Sequence, residues 1–157
     1  MARPLLKADC TKDSMHETMS TEPQSPPATK CQKLQFPAGL LGFEQIKQFL
    51  LISSEQDAPF SWLQVEDDAS LAFLVVPPFE VFPSYAPDIS NEDAAFLKLT
   101  GPGDALLFNI VTLRRNGESS VNLKGPIVVN RHTLVAKQVV PHNAADFSVR
   151  HPLSTTV

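Results

Sequence analysis

Fourteen prolines are scattered along 157 residues, and their spacing removes most helical architectures from consideration. Proline has no amide hydrogen to give a helix interior and its ring clashes with the preceding turn, so each one ends or kinks a helix. What remains between the prolines are short apolar runs. Phe49-Leu50-Leu51-Ile52-Ser53, Phe60-Ser61-Trp62-Leu63-Gln64-Val65 and Leu71-Ala72-Phe73-Leu74-Val75-Val76 follow one another, and the last is stopped by Pro77-Pro78. Ala105 to Leu113, Pro126 to Asn130 and Leu134 to Val140 supply further runs, the later ones rich in the β-branched residues that sheets favour. Asp67-Asp68-Ala69-Ser70 reads as a hairpin turn, and Asn116-Gly117 is the strongest hairpin signal in the chain. Leu71–Val76 is apolar enough to predict a strand buried on both faces.

Only one or two short helices are predicted. Ser90 caps a start with Asp93 three residues on, Ala94-Ala95-Phe96-Leu97 follow, and Gly101-Pro102-Gly103 ends the segment. A second candidate covers residues 43–49, where Phe43, Ile46 and Phe49 share one side. The expected fold is mainly β, a small antiparallel β-barrel-like single domain with one or two short helices.

Composition changes sharply near residue 33. Residues 1–32 contain no Phe, Trp, Tyr, Val, Ile or Gly, and their four basic and four acidic side chains cancel. Such a segment buries too little apolar surface to offset its ordering entropy, so residues 1–32 are expected to be a disordered tail and 33–157 the folded domain. Leu5-Leu6 is too short for the apolar stretch of a signal peptide. The longest apolar run, six residues, falls far short of the roughly 20 that a membrane helix needs. Cys10 and Cys31 are too few for a secreted disulfide framework. These features predict a reduced, cytoplasmic, soluble domain with no membrane contact.

The net charge of −4 and pI near 5.5 disfavour nucleic acid as a direct ligand. Its distribution is uneven. From Glu44 to Asp93 there are ten acidic side chains and one basic, whereas from Lys98 to Arg150 there are seven basic and three acidic. The acidic half either consists of ordinary solvated loops or steers a basic partner.

Motifs for catalysis are missing. The four histidines, His16, His132, His142 and His151, lack the helical i, i+4 spacing of a metal site, and no Gly-rich phosphate loop or GxSxG nucleophile turn occurs. Neither metal nor cofactor is expected. Glu66-Asp67-Asp68 is the one dense carboxylate cluster, and on a turn such groups are usually solvated rather than tuned for acid–base work. Pro77-Pro78-Phe79-Glu80-Val81-Phe82-Pro83-Ser84-Tyr85 places three aromatics in a proline-stiffened loop. Phe79 and Phe82 either fold back on the core or form an apolar patch for a protein partner.

Seven blocks in order then resemble one family. Phe36-Pro37-Ala38-Gly39-Leu40-Leu41-Gly42-Phe43-Glu44 is similar to the FPxGLPGFE signature of the flagellar assembly factor FliW. The likeness continues through residues 59–64, 67–73, Asn109-Ile110-Val111-Thr112, residues 121–130, Lys137-Gln138 and residues 147–153. Leu41 stands where the family has a second proline, and Ala69 where a proline is usual. The family's first strand, with its glycine pattern, is not visible in residues 16–33. Either Lys33-Leu34-Gln35 is its remnant or the barrel has an open edge. The resemblance implies a cytoplasmic, non-enzymatic protein that binds flagellin in a chaperone-like way. It also implies binding to CsrA, an RNA-binding regulator, which relieves repression of flagellin translation.

The partner-binding candidates are physical choices: Glu66, Asp67 and Asp68 as an acidic turn, Phe79 and Phe82 as apolar anchors, and Arg150 and His151 near the end of the chain. Two other classes compete. One is a small hydrolase pairing a carboxylate of 66–68 with His142 or His151. The other is a direct RNA binder using Arg114, Arg115, Arg131 and Lys137.

Overall fold

A computed structural model describes residues 29–153. Nine strands follow one another: β1 (Thr29–Gln35), β2 (Gln48–Ser54), β3 (Ser61–Val65), β4 (Asp68–Val76), β5 (Ala105–Leu113), β6 (Ser119–Val121), β7 (Ile127–Asn130), β8 (Ala136–Gln138) and β9 (His151–Pro152). One helix, α1 (Asn91–Phe96), sits between β4 and β5. The strands pair antiparallel in the order β1-β2-β3-β4-β5-β6-β9, while β7 pairs with β5 and β8. β5 is the hub. Its first four residues, Ala105–Phe108, pair with β7, and its last three, Val111–Leu113, pair with β6.

The path β1-β2-β3-β4-β5-β7-β8 curls back on itself. It is sealed by one parallel bridge, Gln35 to Val135, at which the Gln35 amide donates to the Leu134 carbonyl at 3.0 Å. Alternation of side chains along each strand fills the inside. Leu34, Phe49, Leu51, Leu63, Val65, Val75, Ile127, Val129 and Ala136 form the main core with Phe36 and Leu40. Phe36 and Phe49 meet edge to face at 4.9 Å, a preferred aromatic geometry. Burying each large side chain contributes roughly 1.5–3 kcal/mol. Between the inward Ile127 and Val129, Val128 points outward and meets Leu97 and Val139 beneath α1. A third cluster, Val76, Tyr85, Val111, Val121 and Leu123, lies outside the ring.

β1 begins at Thr29, four residues before the boundary drawn from composition. Its missed start has a physical reason. Of its seven residues only Leu34 is fully buried and Cys31 half-buried, so the strand reads as polar although it pairs with β2 along its whole length. A seven-residue first strand, longer than Lys33-Leu34-Gln35 alone, therefore pairs with β2. Of the disordered tail expected over residues 1–32, residues 29–32 belong to β1, and residues 1–28 lie outside the described residues.

Residues 43–49 are not a helix. Leu40 and Phe43 form an isolated bridge, Ile46 donates its amide to Phe43, and Gln48 already begins β2. Gly39 and Gly42, with φ of +70° and +92°, bend this loop so that Phe36 and Leu40 point inward. The β3–β4 turn is tighter than expected, because Val65 and Asp68 are paired and only Glu66 and Asp67 turn. The run Leu71–Val76 is fully buried only at Val75 and Val76, since β5 reaches no farther than Leu74. α1 starts as expected, with Ser90 Oγ accepting from the Asp93 amide, but it ends at Phe96. Lys98 takes φ of +57° just beyond it, and residues 101–103 lead into a 3₁₀ turn before β5.

Candidate partner-binding surfaces

The acidic cluster stands on the β3–β4 turn, and its three carboxylates differ. Glu66 is half-buried and pairs with Lys33 of β1 at 3.0 Å. Asp68 accepts from both the hydroxyl and the amide of Ser70, which hold its carboxyl below the usual range, the hydroxyl contributing most. Asp67 is exposed and has no ion pair or hydrogen bond among the described residues. The turn thus presents one uncommitted carboxylate, flanked by two that fix its shape.

The aromatic loop lies elsewhere. It follows the C-terminal end of β4, whereas the acidic turn precedes the N-terminal end, and a nine-residue strand separates them by roughly 26 Å. Phe79 is 48% exposed, but Phe82 is half-buried against the third cluster. Around Phe82 gather Tyr85 at 6.2 Å, Phe147 at 6.4 Å and His151, whose ring stacks on it at 5.3 Å and 21°. Tyr85 is buried and donates from its hydroxyl to the Leu123 carbonyl at 2.6 Å; desolvation raises its pKa. Of the two predicted apolar anchors, Phe79 is therefore a surface residue and Phe82 chiefly packs, as does His151, the candidate near the end of the chain. Phe79 and Tyr85 border an open apolar groove of about 600 Å³, with Ile89, Ala94, Leu99 and Leu107 along its other sides.

One wall of that groove is the segment carrying α1. Six residues make too short a helix to stand alone, and tertiary bonds hold it. Lys137 of β8 pairs with Asp93 and lies 5.0 Å over the Phe96 ring. Asn130, buried at the end of β7, donates to the Leu97 carbonyl at 2.8 Å and accepts from the amides of His132 and Thr133. Asp104 accepts from Thr100 and meets His132 at 3.1 Å; the Thr100 hydroxyl and amide, then His132, lower its pKa to about 2.

The carboxylate–histidine pairing required by a hydrolase does not form at the predicted residues. His151 is committed to Phe82, His142 is exposed, and among the described residues the one carboxylate–histidine contact is Asp104–His132, which the sequence did not single out. Nor do the four cations of the RNA-binding reading converge. Lys137 is occupied by Asp93, and Arg131 follows β7 at the end of β5 opposite Arg114. Arg150 is exposed and borders the same open cleft as Arg114. Tyr85 and Phe147 are the site residues that sequence reasoning missed. Tyr85 was visible in the aromatic loop, but nothing local ties Phe147 to it.

Among the described residues no helix is long and apolar enough to cross a membrane, and no cluster of metal-ligating side chains occurs. Comparison with known proteins is consistent along the chain. The profile of the family described as FliW protein matches residues 17–153. A flagellar assembly factor FliW of Leptospira interrogans is 36% identical over 142 residues, covering 86% of this chain and 94% of that protein. The Bacillus subtilis protein of the same name is 37% identical over 123 residues, covering 78% and 85%. A crystal structure of the flagellar assembly factor FliW superposes with a TM-score of 0.69 at 34% identity, covering 76% of this chain and 84% of that one. On these matches and on the shared antiparallel architecture, the chain belongs to the FliW family of flagellar assembly factors.

Proposed function

We propose that this protein assists flagellar assembly in the cytoplasm by binding two proteins, the translational regulator CsrA and flagellin, and that it catalyses no reaction. In this reading, capture of CsrA relieves repression of flagellin translation, and flagellin, bound as by a chaperone at a separate region, is coupled to that capture and ends it. The observation that carries it is the uncommitted Asp67 carboxylate on a turn shaped by the Glu66–Lys33 and Asp68–Ser70 contacts. A regulator that holds RNA must be basic, and an exposed acid in an acid-rich half-chain accelerates such encounters. The apolar Phe79 surface lies at the other end of β4, which supports separate regions for two partners. Glu66, Asp67 and Asp68 serve the basic partner; Phe79, with Phe82 and His151 supporting it, serves the apolar one.

Titration calorimetry of the full chain against CsrA and flagellin from the same organism tests this. Salt-sensitive binding to CsrA is expected, weakened by Asp67→Lys and abolished by saturating flagellin. Asp67→Lys leaves every described bond in place, so it separates steering from stability. Binding to neither protein by a folded sample would refute the proposal, as would a loss in Asp67→Lys that is unchanged at high salt.

A further inference from the structure

We infer that the cleft between the β5–β6 hairpin and β9 binds the carboxylates of an acidic protein segment. This inference stands apart from the reading of the acidic turn. Two elements build the cleft. The hairpin is closed by the Arg114 amide donating to Glu118 at 2.9 Å and the Gly117 amide donating to Arg114 at 3.0 Å. β9 is laid against β6 by the pairs Ser120–Pro152 and Val121–His151, and the Leu153 amide donates to Ser119 at 3.1 Å. Arg114 and Arg150, distant in sequence, thereby line one cavity of about 630 Å³ together with Ser119, Ser120 and Glu118.

Neither guanidinium has an ion pair or hydrogen bond among the described residues. Lys33 and Lys137 are held by carboxylates and Lys47 donates to the carbonyls of Pro37 and Glu44, whereas Lys98, Arg115, Lys124 and Arg131 also have no side-chain partner among the described residues; Arg114 and Arg150 differ from these in lining one cleft together. Two uncommitted guanidinium forks line the cleft, with Glu118 as the one acid among its lining residues, and the guanidinium fork matches a carboxylate bidentately. Phosphate offers similar oxygens, but a nucleic acid needs a continuous track of cations. Here Arg131 stands at the far end of β5, roughly 26 Å from Arg114, and Lys137 is already paired. The cleft therefore suits acids a few residues apart on a peptide rather than a phosphate backbone.

The probe is a fluorescein-labelled deca-glutamate peptide, titrated into the full chain by anisotropy at low and at ~0.15 M salt. Arg114→Gln and Arg150→Gln should each weaken binding about tenfold, Arg150→Lys should weaken it less, and Arg131→Gln should leave it unchanged. Both arginines are exposed, and circular dichroism verifies that the variants fold. Wild-type affinity in Arg114→Gln and Arg150→Gln would overturn the inference, and so would an equal loss in Arg131→Gln. A single-stranded RNA oligonucleotide that displaces the peptide and binds more tightly would reassign the cleft to phosphate. Dimerisation abolished by Arg150→Gln would reassign it to a second copy of this chain.

Discussion

Gly39→Ala and Gly42→Ala make the same chemical change at two positive-φ positions of one loop, and the structure assigns them different costs. At Gly42 an added Cβ meets nothing within 4 Å, so the loss is the conformational one alone, about 1 kcal/mol for an L-residue held left-handed. At Gly39 the same atom would lie 2.5 Å from Glu44 Cα and 2.6 Å from its carbonyl oxygen. Those are backbone atoms and cannot swing aside. Relief requires moving residues 39–44 apart by roughly an ångström, against the Gly39–Phe36 and Phe43–Leu40 amide bonds of 2.8 Å each. Overpacking of this kind costs about 1–3 kcal/mol, which with the conformational term brings Gly39→Ala to about 2–4 kcal/mol. The loop also sets Phe36 and Leu40 into the core, so the strain reaches the sheet. Urea unfolding followed by Trp62 fluorescence gives both values. Equal destabilisation by the two variants would refute the argument, because it would mean that the close approach to Glu44 yields at no cost.

Asn130→Ala removes the donor to Leu97 and the acceptor of two amides, and is expected to lose about 2–4 kcal/mol in denaturant unfolding. Faster amide exchange should be confined first to residues around Leu97. Lys137→Gln leaves the mostly buried Asp93 carboxylate unpaired and should cost about 2 kcal/mol; adding Asp93→Asn recovers part of it, which a double-mutant cycle measures. Asp104 has a folded pKa of about 2, below its ordinary 3.8, so its stabilising effect is complete above pH 4 and is lost as pH falls toward 2. Asp104→Asn should therefore be less stable than wild type near neutrality, with the gap closing on acidification; acid titrations of unfolding that stay parallel would contradict this.

Local signals in the sequence were legible where one or two residues decide a conformation. Ser90 with Asp93 and Asn116-Gly117 both appear where the chain chemistry puts them. β1 was illegible because one of its faces is solvated and polar, leaving Leu34 as its only fully buried side chain. Residues 43–49 misled for another reason. Phe43 packs on Phe73 from a turn and Phe49 from a strand, so their helical spacing is a coincidence of two elements. The candidate surfaces were legible residue by residue but not in combination. Which of them meet is decided by β4, which holds the acidic turn away from the aromatic loop, and by the β6–β9 pairing, which carries Arg150 to Arg114.

The single bridge between Gln35 and Val135 has a consequence for how the chain comes together. β1 to β4 pair in sequence order, each with its neighbour, so this meander closes short loops and forms early. The seam joins residues a hundred positions apart and closes late. On a ribosome the meander emerges while Ile127, Val129 and Ala136, which complete its core, have yet to be synthesised. Until β7 and β8 arrive, Leu34, Phe49, Leu51 and Leu63 present an uncovered apolar sheet face. The nascent chain is most exposed to aggregation during that interval.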